Sequence, residues 1–196
     1  MIEAVVLAAG ESTRLGRPKP LLPLGDETLL ERCLSTLRRT RVTGIVVVLG
    51  HEADAIRASV PLESATVIVN DRYADGVSAS IQAGIRAVPG PAQGALFVPV
   101  DQPFLTASLV DRILQAHEDS GRRIVVPTSG GSRGTPVLID RALFGEADGL
   151  LGDVGFRAIF PRHEDDIEEV RVDEPAELLD IDTEEDYAAA LRIASR

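Results

Sequence analysis

Short apolar runs alternate along the chain with segments whose apolar residues recur at the spacing of a helix. Runs rich in valine and isoleucine predict strands over residues 3–8, 44–49, 65–69, 95–100, 123–126 and 135–139, and two short late strands over 167–172 and 178–180. Helical spacing predicts helices over 28–39, 53–59, 78–87, 106–117 and 153–160, and a last helix that begins at Thr183. Such alternation is typical of a mainly parallel sheet covered by helices on both faces. The sequence therefore predicts an α/β fold, a Rossmann-like three-layer sandwich, with one domain over 1–196 and a loop over 128–134.

Composition argues against several classes of protein. No apolar run approaches the roughly 18 residues of a membrane span, and the amino-terminal residues enter a strand pattern without the build of a signal peptide. A net charge of −11 argues against a broad nucleic-acid surface. The single cysteine, Cys33, cannot form an internal disulfide and is expected in the core. We therefore expect a cytoplasmic protein that binds neither nucleic acid nor membrane.

The chain has one lysine. Its 20 lysine and arginine residues include only Lys19, and the others are all arginine. The ammonium of a lysine is a compact, mobile point charge, whereas a guanidinium is a rigid planar fork. A chemical step that needs a mobile charge on a phosphate explains the exception, and chance in a compositional drift is the alternative.

Lys19 ends a loop that is expected over residues 9–20. A strand followed by a polar, glycine-containing loop presents backbone N–H groups in a concavity of the kind that binds phosphate. Gly10 and Gly16 allow close approach, and Arg14 adds a guanidinium. The loop has neither the G-x-G-x-x-G fingerprint of dinucleotide-binding proteins nor the G-x-x-x-x-G-K-[ST] loop of P-loop NTPases. A dehydrogenase and a P-loop NTPase are therefore both disfavoured.

The loop resembles a known signature. The segment Leu7-Ala8-Ala9-Gly10-x-Ser12-x-Arg14-x-Gly16-x-x-Lys19 is similar to that of the GT-A-like nucleotidyltransferases, and within them to the molybdenum cofactor nucleotidyltransferases, the cytidylyltransferase branch in particular. Further segments follow in the order of that family: Asn70-x-x-Tyr73-x-x-Gly76-x-Ser78-x-Ser80-Ile81, Val98-Pro99-Val100-Asp101-Gln102-Pro103, Arg133-Gly134-Thr135-Pro136-Val137, Gly152-Asp153-Val154-Gly155-Phe156-Arg157 and Asp180-Ile181-Asp182-Thr183-x-x-Asp186-Tyr187.

The resemblance and the residue types together suggest a metal site and a catalytic set. Asp101 follows a buried strand, where open α/β sheets place ligand groups, and it is expected to bind Mg²⁺; capping of the next helix is the alternative. The resemblance implies Asp182 as the second metal ligand. Asp180 lies two residues earlier, and on a strand the two side chains would share a face. Lys19 and Arg14 are assigned to the triphosphate, and Lys19 also to the charge that develops at the α-phosphate.

The nucleotide site implied by the resemblance has two parts. The signature supplies the first part, and the start of the helix predicted after Gly76 supplies the second. The expected residues are Leu7, Ala8, Ala9, Gly10, Ser12, Arg14, Lys19, Gly76, Ser78, Ser80, Asp101, Arg133 and Arg157. The two serines are alternatively ordinary helix caps. The family often has tryptophan where Tyr73 stands, and this chain has none.

Arg133 and Arg157 lie in segments that the resemblance implies as walls of the acceptor site. Each guanidinium suits a phosphate, and a surface ion pair between Arg157 and Asp153 is the alternative. The three histidines, His51, His117 and His163, lack the spacing of metal ligands and are expected at the surface or in turns, so no zinc site is predicted.

These expectations define a Mg²⁺-dependent nucleotidyltransferase that moves NMP from an NTP to a phosphorylated small molecule and releases pyrophosphate. The Ala8-Ala9-Gly10 turn resembles the CTP-using branch, and the methyl of Ala9 leaves less room for a purine. Molybdopterin or its molybdenum form is the implied acceptor, with a molybdenum enzyme as the recipient of the product. A sugar phosphate or phospholactate acceptor is one alternative. A non-catalytic maturation partner of a molybdenum enzyme is another.

Overall fold

The computed structural model of the protein describes residues 1–195 and contains an eight-stranded mixed sheet, a separate two-stranded hairpin and five α-helices. The strands are β1 (Ile2–Ala8), β2 (Pro23–Leu24), β3 (Glu27–Thr28), β4 (Ile45–Leu49), β5 (Thr66–Val69), β6 (Gly94–Pro99), β7 (Ile124–Ser129), β8 (Ser132–Arg133), β9 (Val137–Asp140) and β10 (Ile167–Arg171). The helices are α1 (Leu29–Leu37), α2 (Ala53–Ser59), α3 (Val77–Ala87), α4 (Ala107–Ser120) and α5 (Glu184–Ala194).

The main sheet has the strand order β10-β7-β9-β6-β1-β4-β5, with β8 paired to β7. Strands β6, β1, β4 and β5 run parallel, and β9 is antiparallel to both of its neighbours. The register sets Ala8 of β1 opposite Leu49 of β4. Leu7 lies opposite Pro99 of β6. The carboxyl ends of three adjacent strands therefore meet at one edge of the sheet, which is where open α/β sheets bind ligands.

Helices cover both faces of this sheet. Alternate residues of β1 point to opposite faces, so that Val6 belongs to a core shared with α1 and α4. Val5 belongs to a second core, which includes Phe97 of β6 and residues of α3. The arrangement confirms the predicted three-layer α/β fold. No helix among residues 1–195 is both long and apolar enough to cross a membrane.

A third, smaller cluster lies beside the loop that follows β1. Leu15 packs there with Leu24 of the β2–β3 hairpin and with Ile181 and Tyr187 near and within α5. The Tyr187 hydroxyl donates to the carbonyl oxygen of Pro23 at 2.5 Å. The cluster fastens α5 to the loop and hairpin, which are remote from it in sequence.

Two helices begin with a capping box. Thr28 accepts from the N–H of Glu31 at the start of α1. Thr183 accepts from the N–H of Asp186 at the start of α5, as the sequence predicts. In each box the acidic side chain bonds back to the threonine N–H, so two otherwise unpaired donors are satisfied together.

Two predicted elements are wrong. Residues 153–160 do not form a helix: the segment contains a 3₁₀ turn over Phe156–Ala158, and a second 3₁₀ turn, Phe160–Arg162, follows. Gly155 and Pro161 interrupt the helical run on either side. Residues 178–180 do not form a strand, because a 3₁₀ turn over Pro175–Leu178 precedes irregular chain. Their apolar side chains pack into two cores without pairing to a strand.

The stretch 128–134 is also not a simple loop. Strand β7 continues to Ser129 and pairs with β8 through a tight turn. The turn residues Gly130 and Gly131 have φ of 57° and 80°. Positive φ at both central residues is the requirement of the tightest hairpin turns, which explains two glycines there.

Candidate active site

A cavity of about 420 Å³ opens at the carboxyl ends of β1 and β6. The loop after β1 forms one wall, from Leu7 to Arg14 and on to Lys19 and Pro20. Asp101, from the end of β6, and Asp182, from the loop before α5, lie at the same cavity. Another wall lies around the start of α3, with Asp153 beside it, and is formed by Tyr73, Ala74, Gly76, Val77 and Ser80. Most of the sequence-predicted nucleotide-binding residues therefore line one cleft.

The backbone of the loop is folded back on Ser12. Ser12 has φ of 53°, a conformation that non-glycine residues seldom adopt. Its carbonyl oxygen accepts from the N–H groups of Leu15 and Gly16, at 3.0 and 3.1 Å. Its hydroxyl accepts from the N–H of Lys19 at 3.0 Å. Ser12 thus positions Lys19 at the cleft as well as lining it.

The ammonium of Lys19 lies between two carboxylates. Its Nζ donates to Asp101 Oδ2 at 2.7 Å and to Asp182 Oδ1 at 2.6 Å. The Lys19 and Asp101 side chains are 15% and 19% exposed, and that of Asp182 is 51% exposed. Burial lowers the pKa of Lys19, but the two carboxylates raise it by more, so its pKa lies above the ordinary value of 10.5. The lysine is therefore charged and is held in the cleft by the two carboxylates.

Arg14 lies at the exposed rim of this group. Its Nη1 is 4.0 Å from Asp182 Oδ2, and its side chain is 73% exposed. The guanidinium is thus free to turn toward an anion in the cleft. Arg17, by contrast, is paired with Glu184 and lies over the ring of Tyr187, 4.9 Å from its centroid. Arg17 therefore helps to hold α5 against the loop.

The carboxylates fit a divalent cation that arrives with a phosphate ligand. Asp101 and Asp182 already converge on one cation, the Lys19 ammonium. Among residues 1–195, no group of three or more histidine, cysteine, aspartate or glutamate side chains could hold a metal. Mg²⁺ is commonly bound by one or two carboxylates with phosphate oxygens and water. The donor set therefore suits a metal–nucleotide complex better than a permanently bound ion.

Gln102 lies behind the two carboxylates and links Thr135 to Asp180. Its side chain is buried, and its Nε2 donates to Thr135 Oγ1 at 2.7 Å and to Asp180 Oδ1 at 2.9 Å. The N–H of Ile181 donates to the carbonyl oxygen of Asp101 at 3.0 Å. Asp182 therefore reaches Asp101 through a fastened loop, not through the shared face of a strand with Asp180.

Asp180 occupies a different environment from its two neighbours in the site. Desolvation of its carboxyl group, reinforced by the negative charge of Asp101, raises its pKa to about 6. Its hydrogen bond from Gln102 opposes that rise. The Oε1 of Gln102 has no hydrogen-bond partner within the described part of the chain. Asp180 is therefore an exposed residue that is held by Gln102, whereas Asp182 lines the cleft.

The start of α3 is occupied by the chain itself. Gly152 accepts from the N–H of Ser78 at 3.1 Å, and Asp153 Oδ1 accepts from the N–H of Val77 at 3.3 Å. Gly76, with φ of 95°, lies so close to Gly152 that an added Cβ would be 2.3 Å from its carbonyl carbon. Ser78 is buried outside the cleft, whereas Gly76 and Ser80 line it. The structure therefore does not bring Ser78 to the predicted nucleotide site.

Arg133 and Arg157 lie at a second concavity, apart from the cleft. Arg133 is paired with Glu164 and Glu169, and these contacts raise its pKa. Arg157 donates to the carbonyl oxygen of Arg133. The ion pair between Arg157 and Asp153 that the sequence left open does not form. Both arginines remain a prediction for the acceptor, and neither lines the wall of the main cleft.

Two residues behind the wall of the cleft, Gly50 and His51, were given no role in the site by the sequence. A Cβ on Gly50 would lie 2.6 Å from Tyr73 Cβ and 2.8 Å from the carbonyl oxygen of Ala9, so the site requires a glycine. The ring of His51 packs against that of Tyr73, with centroids 5.8 Å apart. The one sequence feature that could have pointed to Gly50 is its place directly after a buried strand. The spacing of the histidines gave no indication that His51 contacts Tyr73.

Known proteins are similar to this chain in sequence. Residues 4–167 match the family described as MobA-like NTP transferase domain. The nicotine blue oxidoreductase of Paenarthrobacter nicotinovorans is 35% identical over 163 residues, which cover 80% of this chain and 79% of that protein. The molybdenum cofactor cytidylyltransferase of Escherichia coli (strain K12) is 25% identical over 190 residues, which cover 96% of this chain and 95% of that protein. The molybdenum cofactor guanylyltransferase of Rhizobium meliloti (strain 1021) is 36% identical over 129 residues, which cover 65% of this chain and 58% of that protein. The chain spans only 25% to 34% of the length of the bifunctional GlmU proteins that it matches.

Solved structures share the whole fold. A homologue of Rv0371c from Mycobacterium sp. strain JC1 superposes with a TM-score of 0.89 and 34% identity, covering 100% of this chain and 97% of that one. Rv0371c of Mycobacterium tuberculosis H37Rv in complex with manganese gives a TM-score of 0.83 and 32% identity, covering 97% and 98%.

Proposed function

The chain belongs to the family of MobA-like NTP transferase domains, and from this membership we propose that it transfers CMP from CTP to the phosphate of molybdopterin or its molybdenum form. Membership makes the protein a nucleotidyltransferase that uses an NTP and a phosphorylated acceptor. CTP, the molybdopterin acceptor, Mg²⁺ as the metal and a cytoplasmic location are the parts that we propose. A molybdenum enzyme is the recipient that this product would serve.

The observation that carries the proposal is the Lys19 ammonium between Asp101 and Asp182 at the mouth of the loop after β1. When a nucleotide enters, the triphosphate oxygens offer Lys19 a new set of acceptors, and the two carboxylates become available to hold a divalent cation. That cation would neutralise phosphate charge. The manganese complex of a relative 32% identical to this chain supports a divalent metal in this fold.

The reaction requires positioning and charge rather than a proton-transfer residue. An oxygen of the acceptor phosphate forms a bond to the α-phosphorus, and the bond from that phosphorus to the bridging oxygen of pyrophosphate breaks. Negative charge increases on the leaving pyrophosphate. Lys19 and the mobile guanidinium of Arg14 stabilise that charge, and most of the catalysis in phosphoryl-type transfer comes from such contacts.

The preference for CTP rests on Ala9 and its close packing. Ala9 is 3% exposed, and its carbonyl oxygen and methyl lie within 3 Å of the position that a Cβ on Gly50 would take. The methyl therefore cannot move away from a bulky base, and a pyrimidine needs less space beside it than a purine. The E. coli cytidylyltransferase, which aligns over 96% of the chain, supports the same choice, while the R. meliloti guanylyltransferase makes GTP the competitor to test.

Redox activity is the second candidate function, because a relative 35% identical over 80% of the chain is a nicotine blue oxidoreductase. The cluster of Lys19, Asp101 and Asp182 favours transfer of a nucleotidyl group, since a convergent cation and two carboxylates suit a metal–triphosphate. Hydride transfer needs no such cluster.

The direct experiment mixes the purified protein with each of the four NTPs, Mg²⁺ and one acceptor at a time, and measures pyrophosphate release. The acceptors are molybdopterin, its molybdenum form, a sugar phosphate and phospholactate. We expect release with CTP and a molybdopterin acceptor. Preference for GTP with GMP transfer would overturn the choice of nucleotide. Redox conversion of nicotine blue, without pyrophosphate release from any NTP, would support the oxidoreductase instead.

A further inference from the structure

The wall of the cleft formed by residues 73–77 has a different character from the lysine–carboxylate group. It presents Tyr73, Ala74 and Val77 to the cavity. A triphosphate and a metal need charges and N–H donors, which this apolar wall does not supply. A nucleotide also carries a flat aromatic base, and an aromatic side chain beside apolar residues is suited to such a group.

The position of Tyr73 is built by three segments that meet at Gly50. The backbone of Tyr73 is held by its N–H, which donates to the carbonyl oxygen of Asn70 at 3.2 Å. Its Cβ and the carbonyl oxygen of Ala9 approach Gly50 so closely that any side chain there would displace one of them. The N–H of His51 donates to the same Ala9 oxygen at 3.1 Å. The tyrosine is therefore locked beside the turn that the proposed nucleotide contacts.

The ring itself is supported on one side. The imidazole of His51 lies 5.8 Å from it, centroid to centroid, with the planes tilted by 59°. Tilted pairs at this separation are favourable and orient the ring. The hydroxyl of Tyr73 bonds to no residue that the structure describes, so the ring, rather than the hydroxyl, is the part that the surroundings position.

We propose that Tyr73 is the base-contacting aromatic residue of the nucleotide site, and that Gly50 and His51 are its positioning residues. The inference rests on the proposed nucleotidyl transfer and adds the part of the site that binds the base. Contact between a base and an aromatic side chain is worth about 1–3 kcal/mol by truncation, which is about 5- to 150-fold in affinity.

The wild-type protein offers a direct test, because it contains two tyrosines, Tyr73 and Tyr187, and no tryptophan. Tyr187 is buried against the β2–β3 hairpin and serves as an internal reference. With ¹³C-labelled tyrosine, we expect CTP with Mg²⁺ to shift the ring resonances of Tyr73 upfield and to leave those of Tyr187 in place. Tripolyphosphate with Mg²⁺, which has no base, should leave the Tyr73 ring unshifted. Unshifted Tyr73 resonances in CTP-saturated protein would overturn the proposal.

Variants provide the second measurement, by calorimetric titration of CTP and of tripolyphosphate. Tyr73→Leu should weaken CTP binding about tenfold, Tyr73→Phe should retain it, and both should bind tripolyphosphate like the wild type. Gly50→Ala should also weaken CTP binding, because its Cβ would displace Tyr73 or Ala9, both of which line the cleft. Tyr187→Phe is the matched control and should bind CTP normally. Equal weakening of both ligands in Tyr73→Leu would indicate a merely structural role and contradict the inference. A wild type that binds tripolyphosphate but no NTP would instead overturn the proposed function as well.

Discussion

An ammonium group carries three donors and no fixed plane, and both properties matter at Lys19. Its Nζ contacts two carboxylates at 2.7 and 2.6 Å, with side-chain burial that leaves little space around it. A guanidinium is wider and planar, and it would meet Asp101 and Asp182 in a fixed fork. The single lysine of the chain therefore lies where the space between two carboxylates suits a compact ammonium better than a planar guanidinium.

Lys19→Arg should consequently be far from neutral. We expect kcat to fall about tenfold or more, because the altered contact is one that strengthens as charge develops in the transition state. Steady-state pyrophosphate release gives the measurement. Arg17→Lys is the matched control, since Arg17 is paired with Glu184 outside the cleft, and it should retain kcat. Wild-type turnover in Lys19→Arg would mean that the lone lysine is a compositional accident.

Asp101→Asn should abolish metal-dependent turnover and leave the fold intact. The amide keeps the shape of the side chain but removes a charge that faces both Lys19 and the proposed metal. Turnover and binding of Mn²⁺ in the presence of CTP, followed by electron paramagnetic resonance, are the two readouts. Asp111→Asn changes an aspartate near Arg41 on the surface and should behave as wild type in both. Near-normal pyrophosphate release by Asp101→Asn would remove Asp101 from the catalytic set.

Single residues could be predicted from the sequence where their chemistry is unusual or their place on a strand is clear. Lys19 was exceptional in type, and Asp101 followed an unmistakable buried strand. Gly50 and His51 could not be found in this way, because their role depends on the contact of Gly50 with Ala9 and Tyr73, which is a property of the fold. The resemblance to the family implies Ser78 as a nucleotide contact, but its N–H donates to the carbonyl oxygen of Gly152 and its side chain is buried outside the cleft.

At the scale of elements, the two capping boxes provide a matched pair. Thr183 begins α5 next to Asp182, whereas Thr28 begins α1 away from the cleft. Removing either hydroxyl leaves helix N–H groups unsatisfied, so Thr183→Ala and Thr28→Ala should each cost about 1 kcal/mol of unfolding free energy. Chemical denaturation measures this loss.

Only Thr183→Ala should also reduce kcat/KM, by about threefold to tenfold, because the loop that holds Asp182 is anchored by the same box. The N–H of Asp182 donates to Asp186 Oδ2 at 3.1 Å, which links Asp182, the proposed metal ligand, to the cap. Equal kcat/KM values in the two variants would show that the cap of α5 supports stability alone.

The central strands and most helices could be predicted because their patterns are local. Runs such as Ile45–Leu49 are buried on both faces of the sheet and have one interpretation. The late segments were harder. Leu178 and Leu179 suggest a strand, yet they lie at the end of a 3₁₀ turn and pack into two different cores, so only the three-dimensional arrangement explains their apolar character. The position of antiparallel β9 between β6 and β7 likewise depends on tertiary packing and has no local sequence pattern.

The whole molecule carries many acidic residues whose ionised forms are held by partners. Arg162 lowers the pKa of Glu146, Arg133 that of Glu164, and Arg123 that of Asp166. A hydrogen bond from Thr183 lowers the pKa of Asp186. For a carboxyl with a lowered pKa, the folded state favours ionisation. Its contribution to stability is present above the ordinary pKa and is lost as pH falls through the lowered one.

The unfolding midpoint in urea should therefore fall as pH decreases below about 4, near the ordinary values of 3.8 for aspartate and 4.5 for glutamate. Denaturation curves at pH 5, 4 and 3 test this. Glu164→Gln removes one titrating group of the set, so its midpoint should depend less on pH over that range. A midpoint that is the same at pH 5 and pH 3 would contradict the assignment of these ion pairs.

The location of Asp182 has a consequence for the order in which the parts of the proposed site form during synthesis. The part of the chain that matches its family ends at residue 167, before Asp182 and before α5. The shared region supplies the loop, Lys19 and one carboxylate, and the second carboxylate arrives only when the segment after β10 docks against Leu15 and the β2–β3 hairpin. During synthesis, a nascent chain would thus form much of its core before it could hold a metal–nucleotide complex. Docking of this segment then completes the pair of carboxylates around Lys19.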